Sequence, residues 1–431
     1  MSTLSSEVLN PGVRKREVFG WAMYDFANSG YTTVVITAVF AAYFAGAITQ
    51  GAPWGPFAWT AALSVSYAIV MLTMPSLGAW ADLRAAKKRM LGFFTVCCVL
   101  GTAALALARP GDVALAMLLI IVSNTFYSYG ESLTASFLPE LARPNGMGKV
   151  SGWGWGFGYL GGMLALGLCL AYVLWAQSRG QSASQFVPVT MLITAALYGA
   201  AAMITFVLLR ERARPAATGQ GGGLRAALRQ LHHTWRDAQR YRDFIWLLAC
   251  TVAYQGGVAV AITLAAIYAE QVIGFAQQET MVLIFVLNIA AAVGAFGCGY
   301  LQDRIGHKPA LGITLLGWVA TCIIAALAQN KGQFWWAAAI AGLCMGSSQS
   351  AGRAMVGLFS PQRQLAEFFG LWTVATRLAS IVGPMCFGVI TWVTGGNQRV
   401  AIAATTVLFV IGLLALLPIN VQRGRQAALN P

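Results

Sequence analysis

The sequence predicts an all-α polytopic membrane protein: twelve transmembrane helices in two pseudo-symmetric six-helix bundles. Three observations predict it. Of the 431 residues, 58% are apolar and only 10% are charged, against about 25% charged in a soluble domain. That excludes an ordinary soluble protein and a disordered chain. Apolar runs long enough for the roughly 20 residues of a membrane crossing recur along the chain. The basic residues alternate between loops. With the N-terminus inside, 22 of the 28 Lys and Arg fall on the inner side and 4 on the outer, which predicts both termini in the cytoplasm.

Residues 1–17 read as a cytoplasmic tail in which Arg14, Lys15 and Arg16 precede an apolar run too long for a signal-peptide core. The N-terminal bundle, 18–209, holds spans at 18–47, 57–81, 89–108, 113–137, 149–176 and 186–209. The central loop, 210–242, opens on Arg210, Arg212 and Arg214 and passes a Gly-rich stretch. Leu224, Leu228, Leu231 and Trp235 then recur at helical spacing among arginines, as in an amphipathic helix on an anionic inner leaflet. A solvated linker that satisfies the inside rule is the equal alternative. The C-terminal bundle, 243–420, holds spans at 243–270, 278–301, 309–329, 333–358, 365–393 and 398–420, followed by a tail at 421–431.

The eight cysteines all fall inside apolar runs and none stands at metal-ligand spacing with a His, so they read as small core residues. His232 and His233 lie in the central loop. No metal and no cofactor is expected. The net charge of +14 follows the topology of the loops, and nucleic acid is not an expected partner. No phosphate-binding G-x-x-x-x-G-K-[ST] occurs, which argues against ATP as the driving force. Gly156-Phe-Gly158-Tyr-Leu-Gly161 fits a dinucleotide fingerprint, but that motif needs a preceding strand and here it opens an apolar helix. Gly154, Gly158 and Gly162 repeat every four residues, which predicts close helix packing. Gly383-Pro384 and Gly388 hold the equivalent place in the second half and read, like them, as bending points.

The halves echo one another. Gly78 and Asp82, with Arg84, end the second span, while Gly299 and Asp303, with Arg304, end the eighth. A Gly four residues before an Asp shares its helix face. The Gly admits a close neighbour, and the carboxylate can accept bonds from a helix N-terminus or an Arg. Asp82, Arg84, Asp303 and Arg304 are therefore expected to form a cytoplasmic gate.

Four charged residues fall within spans: Asp25 and Glu131 in the first half, Arg353 and Arg377 in the second. Each costs about 2.5–3.5 kcal/mol at the bilayer centre, so they must pair, face water or titrate. Acids on one wall and arginines on the other suit a zwitterion, and equally suit direct salt bridges. Asp25, near the inner face, can serve as a gate. Glu131 follows a polar aromatic face that includes Tyr127 and can carry a proton. Asn28, Gln255, Asn288 and Gln349 are further cavity-lining candidates, with helix–helix hydrogen bonding as the alternative. Trp153, Trp155, Trp335 and Trp336 near span ends read as an interfacial belt.

The duplicated loop resembles the signature of the major facilitator superfamily, and further segments resemble its vacuole-effluxer-like branch. Trp21-Ala-Met-Tyr24-Asp25-Phe-Ala-Asn28-Ser29 is similar to that branch's opening W-A-x-Y-D-F-A-N-S. Phe137-Leu-Pro139-Glu140, Gly158-Tyr-Leu-Gly161, Gln349-Ser350-x-x-Arg353, Glu367-Phe-Phe-Gly370 and Gly383-Pro384 are similar to its later segments. Ala135 stands where the branch has Asn, and Tyr254-Gln255-Gly256-Gly257 stands where it has Y-N-D-G. The resemblance implies the major facilitator fold and a carrier without enzymatic activity. Eukaryotic relatives are associated with moving amino acids out of vacuoles. The expected function is secondary active transport of a small polar or zwitterionic solute, such as an amino acid or short peptide, with efflux as the direction. The expected partners are that solute, protons or another coupling ion, and membrane lipids. The expected state is a monomer in a bacterial inner membrane. A polytopic enzyme, a lipid-moving carrier or a sensor on a carrier fold are the rival readings.

Overall fold

The computed structural model describes residues 8–213 and 240–430. Twelve long helices run through it: α1 (Lys15–Ile48), α2 (Gly55–Arg84), α3 (Lys87–Leu107), α4 (Val113–Ala135), α5 (Met147–Ser178) and α6 (Ala183–Leu208), then α7 (Arg242–Tyr268), α8 (Gln277–Ile305), α9 (His307–Leu327), α10 (Lys331–Phe359), α11 (Leu365–Val393) and α12 (Gln398–Leu416). Among the described residues there is no strand, only one isolated bridge between Leu9 and Ala142. In lipid every backbone polar group must find its partner within the protein, and a helix does this inside one segment. Large apolar side chains such as Leu100, Val207 and Leu414 stand exposed on the outside of the bundle, as acyl chains require.

Eleven of these helices are long and apolar enough to cross a membrane. The twelfth, α10, is 29 residues long but carries Ser347, Ser348, Gln349, Ser350 and Arg353 in its second half. Its residues from Gly346 to Phe359 are buried almost without a break, so neighbouring helices rather than lipid surround this polar stretch. The chain after α12 also differs from the expected tail. Asn420 caps a further helix, α13 (Val421–Leu429), by accepting from the Arg423 N–H. Arg423 grips Asp243 at the start of α7 through two bonds of 2.7 Å.

The first and seventh helices are irregular away from this end. α1 turns into π-helix over Thr32–Ala38 and again over Phe44–Ile48, and α7 continues into a π-helical turn at Ala269–Ile273. The matching irregularity repeats the duplication of the halves. Such π segments loosen the regular ladder and often sit at functional positions.

The end that carries most of the basic loops is tied together. Lys87 is buried and pairs with Glu140 beneath the Phe137 ring. Asn10 donates to the carbonyls of Pro139 and Glu140. Glu211 accepts the backbone N–H groups of Lys87 and Lys88 at 2.9 Å; its burial raises the carboxyl above the usual range. Arg212 reaches Glu17 at 2.7 Å. The expected amphipathic helix of the central loop, with Trp235, His232 and His233, lies outside the described residues.

Helix α5 is the hinge pin of the packing. Gly158 and Gly162 face α1 across Ser29 and Thr33, and a methyl group at Gly161 would overlap the Phe26 carbonyl. The every-fourth-residue glycines thus do what their spacing predicts. A second stripe, Gly148, Gly152 and Gly156, faces α8 in the other half. Replacing Gly161 by Ala should cost about 1–3 kcal/mol through overpacking and lower the thermal midpoint of detergent-purified protein. Gly167→Ala, where nothing lies within 4 Å, should leave the midpoint unchanged or slightly raised. Equal midpoints for the two variants would contradict this packing.

Candidate functional site

The two halves meet through two layers of polar contacts. The outermost layer, at the tied end, uses the duplicated Gly/Asp pair. Asp82 at the end of α2 accepts the N–H groups of Ala366 and Glu367, at 3.1 and 2.9 Å. Asp303 at the end of α8 accepts those of Gly148 and Lys149, at 2.9 and 3.0 Å. In each case the donors are the second and third residues of a helix in the opposite half, α11 and α5. These N–H groups have no partner within their own helix, and a carboxylate there also complements the helix dipole. Gly78 lets the Ala366 backbone approach, as Gly299 does for the backbone of Gly148. Gln302 adds bonds to the Gly148 carbonyl and the Ser350 hydroxyl, at 3.2 and 3.0 Å. The bonds that Asp82 and Asp303 accept across the halves come from backbone N–H groups. Arg84 lies over Trp80 of its own helix, and Arg304 is exposed.

The second layer lies deeper and consists of the four intramembrane charges. They pair across the halves, acid to arginine. Arg353 of α10 donates to Asp25 of α1 at 2.7 Å. Its Nε donates to the Ser151 hydroxyl at 3.2 Å, and its second terminal nitrogen to the Ser151 carbonyl at 2.8 Å. The guanidinium sits between the rings of Trp21 and Trp155, at 4.7 and 5.3 Å. Gly154 faces this pair, and any side chain there would strike Asp25, Arg353 and Trp21. Arg353 stands six residues before the end of α10, about 9 Å from the tied end at 1.5 Å per residue.

Arg377 of α11 pairs with Glu131 of α4. Its guanidinium lies 5.4 Å from the Tyr67 ring centre and 5.8 Å from that of Tyr127. Tyr127 in turn stacks on Tyr31 at 4.9 Å. Arg377 stands twelve residues into α11, about 18 Å from the tied end. This pair is therefore deeper and also more open. The Glu131 side chain is 31% exposed, against 12% for Asp25.

The remaining predicted residues divide. Gln255 and Gln349 form a reciprocal amide pair between α7 and α10, at 2.6 and 3.2 Å. Asn28 accepts from the Tyr198 hydroxyl at 2.7 Å, while its buried amide nitrogen has no partner. It joins α1 to α6 within one half. Asn288 donates to the Ile284 carbonyl of its own helix, and no contact among the described residues joins it to the ion pairs. Trp155 belongs to the Arg353 cage rather than to an interfacial belt. Trp153 packs against Phe157 and Phe296. Trp336 is 72% exposed. Sequence reasoning missed Trp21, Tyr67 and Ser151. Trp21 carried a usable signal, since it precedes Asp25 by one helical turn. Among the described residues, no group of three His, Cys, Asp or Glu converges as a metal site.

Comparison with known proteins follows this geometry. The family described as "Vacuole effluxer Atg22 like" matches residues 58–148 and 146–429. The uncharacterized MFS-type transporter YxiO of Bacillus subtilis is 28% identical over 405 residues, covering 92% of this chain and 93% of that protein. Autophagy-related protein 22-1 of Aspergillus niger is 23% identical over 65% of this chain, but the match spans only 48% of the fungal protein. Among solved structures, the proton:xylose symporter XylE superposes with a TM-score of 0.74 at 13% identity, over 93% of this chain and 94% of that one. The match in fold establishes a twelve-helix major facilitator architecture.

Two measurements test the layers. Asp82→Ala and Asp303→Ala each remove a helix cap, worth about 0.5–2 kcal/mol, from the closed end. Spin labels at exposed Arg89 and Arg363 should report longer distances in the double variant; an unchanged distribution would show that the caps do not hold this end shut. Asp25→Asn or Arg353→Gln alone strands a buried charge, at a cost of about 3–5 kcal/mol. The double variant should cost less than the sum, with a coupling of about 0.5–3 kcal/mol. Strict additivity would contradict the pair.

Proposed function

The chain belongs to the Atg22-like vacuole effluxer family, and from that membership we propose that it is a secondary active transporter for small zwitterionic solutes such as amino acids or short peptides. It is an integral membrane protein of the major facilitator class. The observation that carries the proposal is the crossing of charge between the halves: both intramembrane acids stand on one bundle and both arginines on the other. A solute that enters between the bundles meets an acceptor of cations on one wall and a bidentate carboxylate binder on the other. A zwitterion satisfies both without leaving a net charge in the membrane.

The cycle then follows from the two layers. With the helix caps and the Asp25–Arg353 pair in place, the tied end is shut and the deeper Glu131–Arg377 pair is reached from the other side. Rocking of the halves about a central site exposes it alternately. The excess of basic residues at the tied end supports a cytoplasmic location for that end and for both termini. The full-length match to a Bacillus protein supports a bacterial plasma membrane. We assign export as the direction and a monomer as the working unit. Glu131, partly exposed beside its arginine, is the proton acceptor we assign for coupling. One proton moving down 100 mV yields about 2.3 kcal/mol, a concentration ratio of roughly fifty.

The test is ligand binding followed by flux. Detergent-purified protein is heated with each amino acid, a dipeptide set, sugars and lipids in turn. A true solute at 100 times its Kd adds about 2.7 kcal/mol, and a shift confined to amino acids or dipeptides is expected. Counterflow of the same compound into proteoliposomes should follow. If only lipids or only sugars raise the midpoint, the zwitterion reading falls.

A further inference from the structure

We propose that the two cross-half ion pairs have different jobs: Glu131 and Arg377, flanked by Tyr67 and Tyr127, seat the solute's ammonium and carboxylate, while Asp25 and Arg353 tie the halves beneath it. The proposal rests on the transporter reading above and deepens it.

The two arginines are held by different sets of hydrogen bonds. An arginine offers five N–H donors in a rigid fork. Arg353 spends all three of its nitrogens, on Asp25, the Ser151 hydroxyl and the Ser151 carbonyl. Two indoles close over it, and its side chain is 3% exposed. A guanidinium so committed has little left to offer a ligand. Arg377 differs in its hydrogen bonds, although it too is buried and lies beside two rings. Among the described residues it makes one hydrogen bond, to Glu131, and its buried Nε has no partner. An unpaired buried donor is costly and calls for an acceptor. A solute carboxylate is such an acceptor, and it matches the fork in a bidentate manner.

The surroundings fit the other end of the solute. Glu131 is the most exposed of the four charged side chains. Tyr127 lies one helical turn before it and Tyr67 stands across from it on α2, with both rings already near a cation. An ammonium leaving water for this place gains a carboxylate and two π faces. Binding is then an exchange of partners. The Glu131–Arg377 bond opens, the solute carboxylate takes Arg377, and the solute ammonium takes Glu131. The count of charges is unchanged, so no charge is stranded. A ligand lacking either group leaves one protein charge unpaired and is disfavoured.

That last consequence is the test. The amino acid with the largest thermal shift on the wild-type protein is compared with its desamino carboxylic acid and its decarboxylated amine, by Kd. Wild type should favour the amino acid over both. Glu131→Gln leaves Arg377 as the sole charge, and the preference should swing toward the desamino acid by about tenfold or more. Arg377→Gln should swing it toward the amine. Asp25→Asn should weaken all three ligands by a common factor and leave their ratios alone. If Glu131→Gln does not fold, the neutral double variant Glu131→Gln/Arg377→Gln supplies the measurement, and it should bind the three compounds without preference. The proposal is overturned if the ratios stay at wild-type values in the Glu131 and Arg377 variants, or if Asp25→Asn is the variant that inverts them. If no amino acid binds the wild type at all, it is the zwitterion reading that has failed, which is a separate result.

Discussion

A charge cannot be left alone in hydrocarbon, and this chain places its intramembrane acids and arginines on different bundles. Neither bundle can satisfy its own charges. Among the described residues, Asp25 and Glu131 find their counterions on α10 and α11. Closure of the two halves is therefore a matter of electrostatic necessity as much as of packing. Much of the local architecture serves it. Gly154 makes room for the first pair, and Trp21 is fixed beneath Arg353 by its indole N–H bond to the Thr134 carbonyl at 2.7 Å. Tyr31 backs the Tyr127 ring beside Arg377.

The two layers differ in what it takes to break them. The capped helix N-termini lie at the tied end, each joined to the other half by one carboxylate and two backbone N–H groups. Each is worth about 0.5–2 kcal/mol, so the outer layer can open and close readily. The ion pairs lie where water is scarce, and stranding one charge costs about 3–5 kcal/mol. They can separate only if something replaces the partner. A difference of a few kcal/mol is enough to set the balance between two conformations. The outer layer is thus suited to follow the transition, and the inner layer to decide it. The outer layer is also the symmetric one: α2 caps α11 as α8 caps α5, at the same two helix positions. The inner layer is asymmetric in sign, which gives the central space a direction a zwitterion can read.

Much of this was legible in the sequence because it depends on local pattern. Span lengths, the doubled Gly/Asp signature and the glycine repeat of α5 are short-range features, and each has its counterpart in the helices. The four charges were conspicuous for the same reason, since a charged residue in an apolar run stands out. Which acid meets which arginine was not legible, because it depends on how α1 lies against α10 and α4 against α11. Tyr67 and Ser151 were invisible as site residues for the same reason: nothing near them in the chain marks them until α2 and α5 are packed. Trp155 was misread as an interfacial residue because a span-end tryptophan is ordinary, and only the arrival of Arg353 from the other half gives it a different partner. The π-helical turns of α1 and α7 were not read from the sequence, although Thr32–Ala38 is almost wholly β-branched.

The choice of arginine on the C-terminal bundle constrains how such a machine can be driven. A lysine in a dry site can lose its proton and with it the charge. Arginine does not titrate in a protein, so Arg353 and Arg377 remain cationic in every conformation the halves adopt. The only member of either pair whose charge can change is the carboxylate. Asp25 is packed against Gly154, Trp21 and its arginine, with 12% of its side chain exposed. Glu131 is nearly a third exposed. Neutralising it would take from Arg377 its one hydrogen-bonding partner among the described residues and leave that cation in need of an anion. In the proposed cycle a proton and a solute carboxylate would favour the same opened state of the pair from opposite sides, one by neutralising Glu131 and the other by replacing it.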